Sequence, residues 1–276
     1  MKIIIIARNA KHSPNMSDKD EVVLAAVERL LREQGAEVRR INENEEIPAV
    51  DAVCSMSRTS YVVEKLQEAE KRGTTVVNPT KAIKNAERIN FTRILDDAGI
   101  PQPQYVIGNS DELPDNLQYP LWIKKGNGWS NCKEDIFYAN DKSEALTAIK
   151  TMKAAGIETI IYSRHIKGDI IKFYGVGNDF FYHTYPDIKN GKFGFETING
   201  EQKHYPFDGK KLKETVYDAA NATGLLIYGG DCIVTQEGCI FIIDINDFPS
   251  FGATRDEAAA AIAQLIIKET DKNRNI

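Results

Sequence analysis

The first eighty residues alternate short apolar runs with segments whose apolar residues recur at helical spacing. Helical spacing is seen over 18–34 and 61–72. The apolar runs, which read as buried strands, cover 2–7, 36–38, 51–56 and 75–77. Strands that alternate with helices predict a parallel sheet built from βαβ units.

The pattern changes after Pro79. A small α+β unit is predicted there, with helices over 85–98 and 142–155 and strands over 104–107, 121–125 and 136–139. From residue 159 strands dominate, which predicts a mostly antiparallel sheet backed by helices. These strands are 159–163, 170–176, 179–185, 193–198, 229–235 and 239–245, with helices over 209–223 and 255–269. The expected domains are therefore 1–84, 85–158 and 159–276.

Composition narrows the class of protein. The chain has 276 residues, 42% of them hydrophobic, and a formal net charge of -5, so it can bury a core and has no basic field for nucleic acid. The apolar start ends after five residues at Arg8, too few for a membrane span or a signal segment. Four widely spaced cysteines without a CxxC pair favour reduced core thiols in a cytoplasmic protein.

The loop after the first strand is a candidate substrate contact. The chain has neither a GxGxxG fingerprint after that strand nor a GxxxxGK[ST] loop, so a nucleotide must bind elsewhere. Ligands of open α/β sheets gather at the carboxyl ends of the strands, where His12 lies. An ordinary polar turn is the alternative for this loop.

Residues 230–246 carry the most informative pattern. They read as a β-hairpin with its turn at 236–238, which places Asp244 and Asn246 on one face and Asp231 opposite them on the partner strand. Two carboxylates and an amide oxygen on one face form a hard-oxygen ligand set that suits Mg²⁺. The alternative is that these residues simply face solvent on a half-exposed strand.

Two further stretches fit a nucleotide site. The apolar strand that ends at Lys124 is followed by a loop containing Gly126, Gly128 and Ser130, where a lysine and exposed backbone could meet phosphate, although a solvated turn would look the same. Residues 159–177 form two strands around a tight connection. Backbone groups left unpaired at such a break can bind the edge of an adenine ring.

In order and spacing these stretches, with the helix that carries Arg88, resemble the ATP-grasp superfamily over nearly the whole chain. The resemblance is to the ATP-binding domain of glutathione synthetase and to the ligases that modify ribosomal protein S6. It implies an α/β plus α+β chain, with an N-terminal parallel βαβ pre-ATP-grasp domain followed by a two-lobed ATP-grasp fold. It also implies ATP with one or two Mg²⁺ ions, or Mn²⁺, as cofactors.

The resemblance assigns roles residue by residue. Metal ligands are Asp231, Asp244 and Asn246. Phosphate contacts are Arg88, Lys124, Gly126, Gly128 and Ser130, and adenine contacts are Ser163, Arg164, His165 and Ile166. Arg88 stands where many members have lysine, which keeps the charge but not the compact ammonium group. Arg164 stands where many have glutamate, so ribose or adenine contacts could fall to Asp169 or to backbone.

Three functions remain open from the sequence. The first is a carboxylate–amine or carboxylate–thiol ligase that forms an acyl phosphate, with Lys124, Lys172 and Arg88 as catalytic residues and a small molecule or peptide as substrate. The second is a kinase, because 172–177 and 244–251 are similar to inositol polyphosphate kinases; Lys172, Tyr174, Ser250 and Gly252 would then face the acceptor. Its basic pocket would draw on Arg8, Lys11, Arg58, Lys172 and Lys203. The third is a nucleotide-binding module without catalysis; a homodimer is compatible with each.

Overall fold

The computed structural model describes residues 1–9, 17–130, 132–187 and 195–274. His12 and Lys11, expected at the substrate site, lie outside the described residues.

The N-terminal sheet is parallel, as the sequence predicted, with strand order β2-β1-β3-β4. Its apolar strands are covered by helices because both faces must be buried. The strands are β1 (Lys2–Ile6), β2 (Glu37–Ile41), β3 (Ala52–Ser55) and β4 (Thr75–Val77), and the helices are α1 (Ser17–Glu33) and α2 (Ser60–Lys71).

The second sheet, here called the small-lobe sheet, is antiparallel with order β5-β8-β6-β7. Its last strand in the chain, β8, pairs with β5 and β6 rather than with the strands that follow it. The strands are β5 (Tyr105–Asn109), β6 (Leu121–Lys125), β7 (Ile136–Ala139) and β8 (Thr159–Arg164), with helices α3 (Thr80–Asn85), α4 (Arg88–Asp97) and α5 (Lys142–Ala154).

The third sheet, the large-lobe sheet, is antiparallel with order β10-β9-β11-β12. Helix α6 packs against one side of it. Its elements are β9 (Asp169–Val176), β10 (Phe180–Thr184), α6 (Gly209–Thr223), β11 (Ile227–Val234), β12 (Ile240–Asp247) and α7 (Arg255–Arg274). The fold class predicted from the sequence is therefore confirmed.

Two predicted elements differ from the structure. The helix predicted over 85–98 is α4, which begins only at Arg88, and the chain turns at Ala86 and Glu87 to separate it from α3, a short helix that was not predicted. The strand predicted over 193–198 is wrong for its described part, which is a 3₁₀ helix over Phe195–Asn199. Two of its apolar residues, Phe195 and Ile198, are three positions apart, which matches the 3₁₀ repeat.

Helix α7 returns to the N-terminal domain. Its apolar face packs with α1, and both helices share one core with the N-terminal sheet. Of the four cysteines, which are all free, Cys54 and Cys232 are buried as expected, whereas Cys132 and Cys239 are exposed. No described helix is both long and apolar enough to cross a membrane.

Asn78 joins the N-terminal sheet to the large-lobe sheet. Its side chain is buried at the end of β4 and donates to the carbonyl of Ile227 at 2.7 Å. Its Oδ1 accepts from the N–H groups of Leu226 at 2.8 Å and Ile227 at 2.7 Å. These three bonds fix the start of β11, the strand that carries Asp231.

We expect Asn78→Ala to lower the free energy of unfolding by about 3 kcal/mol, since it removes three hydrogen bonds at the start of β11, two of them donated by N–H groups. The matched control is Asn85→Ala, which removes one half-buried bond to the Thr223 carbonyl and should cost about 1 kcal/mol. Urea denaturation of both variants measures the difference. Equal losses would show that Asn78 is not the stronger link.

Candidate functional site

Two carboxylates face each other on the large-lobe sheet. Asp231 of β11 is paired directly with Asp244 of β12, so the two side chains lie on the same face of the sheet. Asn246 lies two residues further along β12 and shares that face. The sequence predicted this register from the hairpin turn, and the structure confirms it. We call this surface the carboxylate face.

Lys172 partly neutralises the acid pair. It pairs in register with Asp231 on the other neighbour, β9, and its Nζ lies 2.9 Å from Asp231 Oδ1. Both side chains are only partly exposed, 33% for Lys172 and 26% for Asp231, which limits screening by water. The lysine therefore holds positive charge where the acids converge.

The chemistry of the carboxylate face fits a hard cation. Asp244 Oδ2 accepts a bond of 2.7 Å from the Asn246 amide, so the two predicted ligands are already in contact. Carboxylate and amide oxygens suit Mg²⁺. The described residues form no cluster of three or more His, Cys, Asp or Glu side chains around a metal position. The set here has two carboxylates and one amide, and phosphate and water would complete it.

Lys124 and Arg88 reach this face from the small lobe. Lys124 Nζ lies 3.4 Å from the carbonyl of Ile243, and Arg88 NH2 lies 4.0 Å from Asp244 Oδ1. Arg88 NH1 is held by the carbonyl of Lys125 at 2.9 Å. Residues predicted to bind phosphate and residues predicted to bind metal are thus brought together.

The electrostatic surroundings of Lys124 and Arg88 suit a bound anion. Burial, and next the charge of Arg88, lower the pKa of Lys124 to about 8, although Asp244 and Asp231 act in the opposite direction. Burial also lowers the pKa of Arg88. The Arg88 Nε is buried and has no acceptor among the described residues. Phosphate oxygens would supply the missing acceptor and stabilise both cations.

The loop of residues 126–130, here called the phosphate loop, is anchored at its first residue. The Gly126 N–H donates to the carbonyl of Thr159 at 2.8 Å, and its carbonyl accepts from the N–H of Ile89 at 3.0 Å. A Cβ at this position would lie 2.8 Å from the Thr159 side chain, so only glycine fits. Gly128 has a positive φ of 71°, which glycine adopts without strain.

The predicted adenine-binding residues lie at the end of β8. Ser163 is buried and paired with Trp122, on the face of the small-lobe sheet that also bears Lys124. The His165 N–H donates to the carbonyl of Pro120 at 3.1 Å. Proline has no N–H to return, so no sheet bond reaches the His165 carbonyl from this neighbour. That carbonyl is the kind of free acceptor predicted for adenine.

The side chain of His165 belongs to an aromatic group. Its Nδ1 accepts from Trp122 Nε1 at 3.2 Å, and its ring meets Tyr138 at 5.2 Å between centroids. Phe195 contacts Trp122 at 5.5 Å. Burial lowers the pKa of His165, which favours the neutral ring that this bond requires. No hydrogen bond among the described residues bears on the adenine contact predicted for Ile166.

Arg164 and Asp169 do not face the nucleotide position. Arg164 lines a cavity of about 610 Å³ on the opposite face of the small-lobe sheet, and its N–H donates to Gln104. Asp169 is 4% exposed, and its two oxygens accept from the N–H groups of Lys203 at 2.7 Å and Tyr205 at 2.9 Å. The expectations that Arg164 contacts adenine and that Asp169 contacts ribose have no support from these side chains, because both are directed elsewhere.

Three residues predicted to face the substrate surround the end of β12. Tyr174 shares the face of Lys172, and burial raises the pKa of its hydroxyl. A Cβ on Gly252 would lie 3.5 Å from that hydroxyl. The Ser250 hydroxyl donates to Asp20 of α1, which links this segment to the N-terminal domain.

Sequence reasoning missed a buried charge network beside these residues. Arg8 bonds the carbonyls of Met56 at 3.1 Å and Phe248 at 2.7 Å, and it lies 3.6 Å from Asp20. Burial, and next the charge of Arg58, lower the pKa of Arg8 to about 10. The position of both arginines at carboxyl ends of parallel strands was the available signal. No sequence signal marked their acidic partners, Asp20 and Asp247.

If the Lys172 ammonium group balances the Asp231 charge that a metal ion would otherwise neutralise, Lys172→Met should lower the free energy of unfolding by about 1 kcal/mol in metal-free buffer. Mg²⁺ should then raise the melting temperature of this variant more than that of the wild type, because no lysine competes for Asp231. Thermal denaturation with and without Mg²⁺ measures both effects.

The control is Lys210→Met, which removes an exposed pair with Glu214 and should change stability by less than about 0.5 kcal/mol. Equal stabilisation of wild type and Lys172→Met by Mg²⁺ would argue against competition at Asp231.

Comparison with known proteins bears on the fold. No family model and no curated protein sequence matches the chain. Among solved structures, the D-alanine–D-alanine ligase of Bacillus anthracis complexed with ATP is similar over 100% of this chain and 99% of its own, with TM-score 0.74 and 14% identity. The RimK domain ATP-grasp protein of Sphaerobacter thermophilus covers 97% and 100%, with TM-score 0.72 and 14% identity.

The VanG D-Ala:D-Ser ligase of Enterococcus faecalis is also similar, with TM-score 0.72 and 16% identity over 98% of this chain and 99% of its own. Identities this low are informative about architecture only. Since the likeness spans nearly the whole of each chain, the protein has the ATP-grasp fold.

Proposed function

We propose that this protein is an ATP- and Mg²⁺-dependent ligase that joins a carboxylate to an amine or thiol through an acyl phosphate. The observation that carries the proposal is that two cations reach β12 together, Lys124 at the carbonyl of Ile243 and Arg88 at the carboxylate of Asp244. The solved structures of similar fold include ATP-dependent ligases, which supports this reaction class. The substrate carboxylate would come from a small molecule or a peptide.

The proposed reaction has two steps. A carboxylate oxygen of the substrate attacks the γ-phosphorus of ATP, and the bond from that phosphorus to the oxygen of ADP breaks. The amine or thiol then attacks the acyl carbon, loses its proton and expels phosphate. Lys124 and Arg88 stabilise the negative charge on the transferred group, and the fixed lobes position the reactants.

Asp231, Asp244 and Asn246 would hold Mg²⁺. When bound, the ion supplies charge neutralisation for the phosphate oxygens. Lys172 contacts Asp231 and would orient that carboxylate while presenting its own charge to the acceptor. Tyr174 and Gly252, at the end of the same face, would contact the acceptor, as would Ser250 in the adjoining segment.

Ion pairing favours the ligase over a kinase that acts on a polyanionic acceptor. Such a kinase needs several uncompensated cations in its pocket. Three of the proposed basic residues, Arg8, Arg58 and Lys172, are each matched by an acid in this structure: Asp20, Asp247 and Asp231. The described residues therefore offer no concentrated positive pocket at the acceptor side.

We expect Asp244→Asn to weaken Mg²⁺-dependent ATP binding at least about tenfold, because it removes a charged ligand. Isothermal titration of ATP with and without Mg²⁺ measures this. Asp179→Asn, which alters an exposed pair with Lys268 on the same lobe, is the control and should bind as the wild type does.

Product assays then separate the possible functions. Wild-type protein is incubated with Mg-ATP and pools of amino acids, short peptides or inositol phosphates. Release of ADP and phosphate only when an acid and a nucleophile are both present supports the ligase. ADP without phosphate would instead identify a kinase, and binding without either product would identify a binding module.

The lowered pKa of Lys124 predicts proton uptake on ATP binding. The lysine loses its charge as pH rises through about 8 in the free protein, whereas bound phosphate favours the charged form. At about pH 9, ATP binding should therefore take up close to one proton, and affinity should fall as pH rises further.

Titration in two buffers of different ionisation enthalpy, at about pH 7 and about pH 9, counts the protons. Lys124→Met serves as the reference, since it lacks the titrating group and should show no extra uptake at the higher pH. Uptake that persists in Lys124→Met would assign the proton to another residue.

A further inference from the structure

Arg58 connects the N-terminal domain to two separate parts of the candidate site. It follows β3, and its NH1 lies 3.0 Å from Asp247 Oδ1. Its guanidinium carbon lies 4.7 Å from the centre of the Trp129 ring. Asp247 follows Asn246 on β12, here called the metal strand because it carries the predicted metal ligands Asp244 and Asn246. Trp129 belongs to the phosphate loop. One side chain therefore touches both.

Burial makes each contact strong enough to fix a position. The side chain of Arg58 is 13% exposed and that of Asp247 only 1%, so loss of either partner leaves a buried charge uncompensated. A partly desolvated cation over an indole ring contributes up to about 2 kcal/mol. The two contacts use the edge and the flat face of the guanidinium, a combination that the lysine ammonium cannot reproduce.

The rest of the Trp129 environment explains why Arg58 decides where the ring lies. Trp129 packs against the outer core of the N-terminal sheet, the group that includes Ile4, Ile6, Val53 and Val76. Its Nε1 is buried without a partner among the described residues, so no hydrogen bond orients the indole. Packing and the guanidinium hold it instead. The phosphate loop is thus anchored at Gly126 by the small lobe and at Trp129 by the N-terminal domain.

Arg8, the neighbouring arginine, does not share this arrangement. It contacts the carbonyls of Met56 and Phe248 and the carboxylate of Asp20. It shapes the segment after β12 but makes no ring contact with the phosphate loop. Arg88 reaches Asp244 of β12 from the carbonyl of Lys125, which precedes the loop, whereas Arg58 reaches β12 from Trp129 within the loop.

We infer that Arg58 is a positioning residue that sets the spacing between the phosphate loop and the metal strand, so that the N-terminal domain controls the affinity for Mg-ATP. The inference rests on the proposed function, because it assumes that the two segments bind one nucleotide between them. It adds a role for the N-terminal domain beyond contact with the acceptor.

The test uses the fluorescence of Trp129 to report the position of its own ring. The chain has two tryptophans, so Trp122→Phe leaves Trp129 as the single tryptophan of the full-length protein, and excitation that selects tryptophan reports on it alone. In this parent we expect Mg-ATP to change the Trp129 emission. Arg58→Met should shift the emission to longer wavelength before ATP is added and raise the dissociation constant for Mg-ATP about tenfold, the loss expected for a contact of this kind.

Conservative variants separate positioning from folding. Arg58→Lys should recover part of the affinity, and Asp247→Asn should weaken binding while keeping the Trp129 emission of the parent, because the ring contact remains. The matched control is Lys65→Met, which removes another cation that lies over a ring, 4.2 Å from Tyr61, in the same domain but away from the loop. It should bind Mg-ATP as the parent does.

A double-mutant cycle gives the decisive comparison. If Arg58 and Trp129 act through one contact, Arg58→Met combined with Trp129→Leu should weaken Mg-ATP binding less than the product of the single effects. Parent-like affinity and emission in Arg58→Met would overturn this inference alone. Failure of the wild-type protein, with Trp122 intact, to bind Mg-ATP would overturn the proposed function, and this inference with it.

Discussion

The pairing of Asp231 with Asp244 is the constraint on which the site depends. Adjacent strands place the two carboxylates side by side on a partly buried face, where their repulsion opposes folding unless cations lie close by. The cations come from three elements: Lys172 from β9, Lys124 from β6 and Arg88 from α4. The acid pair therefore draws together the two lobes as well as the strands of one sheet.

The N-terminal domain contacts β12 and the residue after it through a second set of polar and charged contacts. Asp247 and the carbonyl of Phe248, at the end of the same strand β12, are held by Arg58 and Arg8 from the N-terminal sheet. Asn78 adds three uncharged bonds at the start of β11. Both strands that carry the carboxylates are thus fixed by the N-terminal domain, which gives that domain influence over the geometry of the candidate site.

Local patterns predicted most of the fold and the centre of the site. Hairpin geometry placed Asp231 opposite Asp244 because the turn sets the register of the strands that it joins. Contacts between distant segments could not be predicted in this way. Arg58 and Asp247 are 189 residues apart, and their pairing depends on how two domains pack. The placement of β8 in the small-lobe sheet was missed for the same reason.

Side-chain direction was the other limit of the sequence. Arg164 and Asp169 lie at the positions that the resemblance indicated, yet one lines the opposite face of its sheet and the other bonds the backbone near residue 204. If adenine binds at this position as proposed, backbone remains to contact it, including the His165 carbonyl, which has no sheet partner at Pro120 among the described residues. Backbone recognition constrains no side chain, so the substitution of glutamate by Arg164 is compatible with a working nucleotide site.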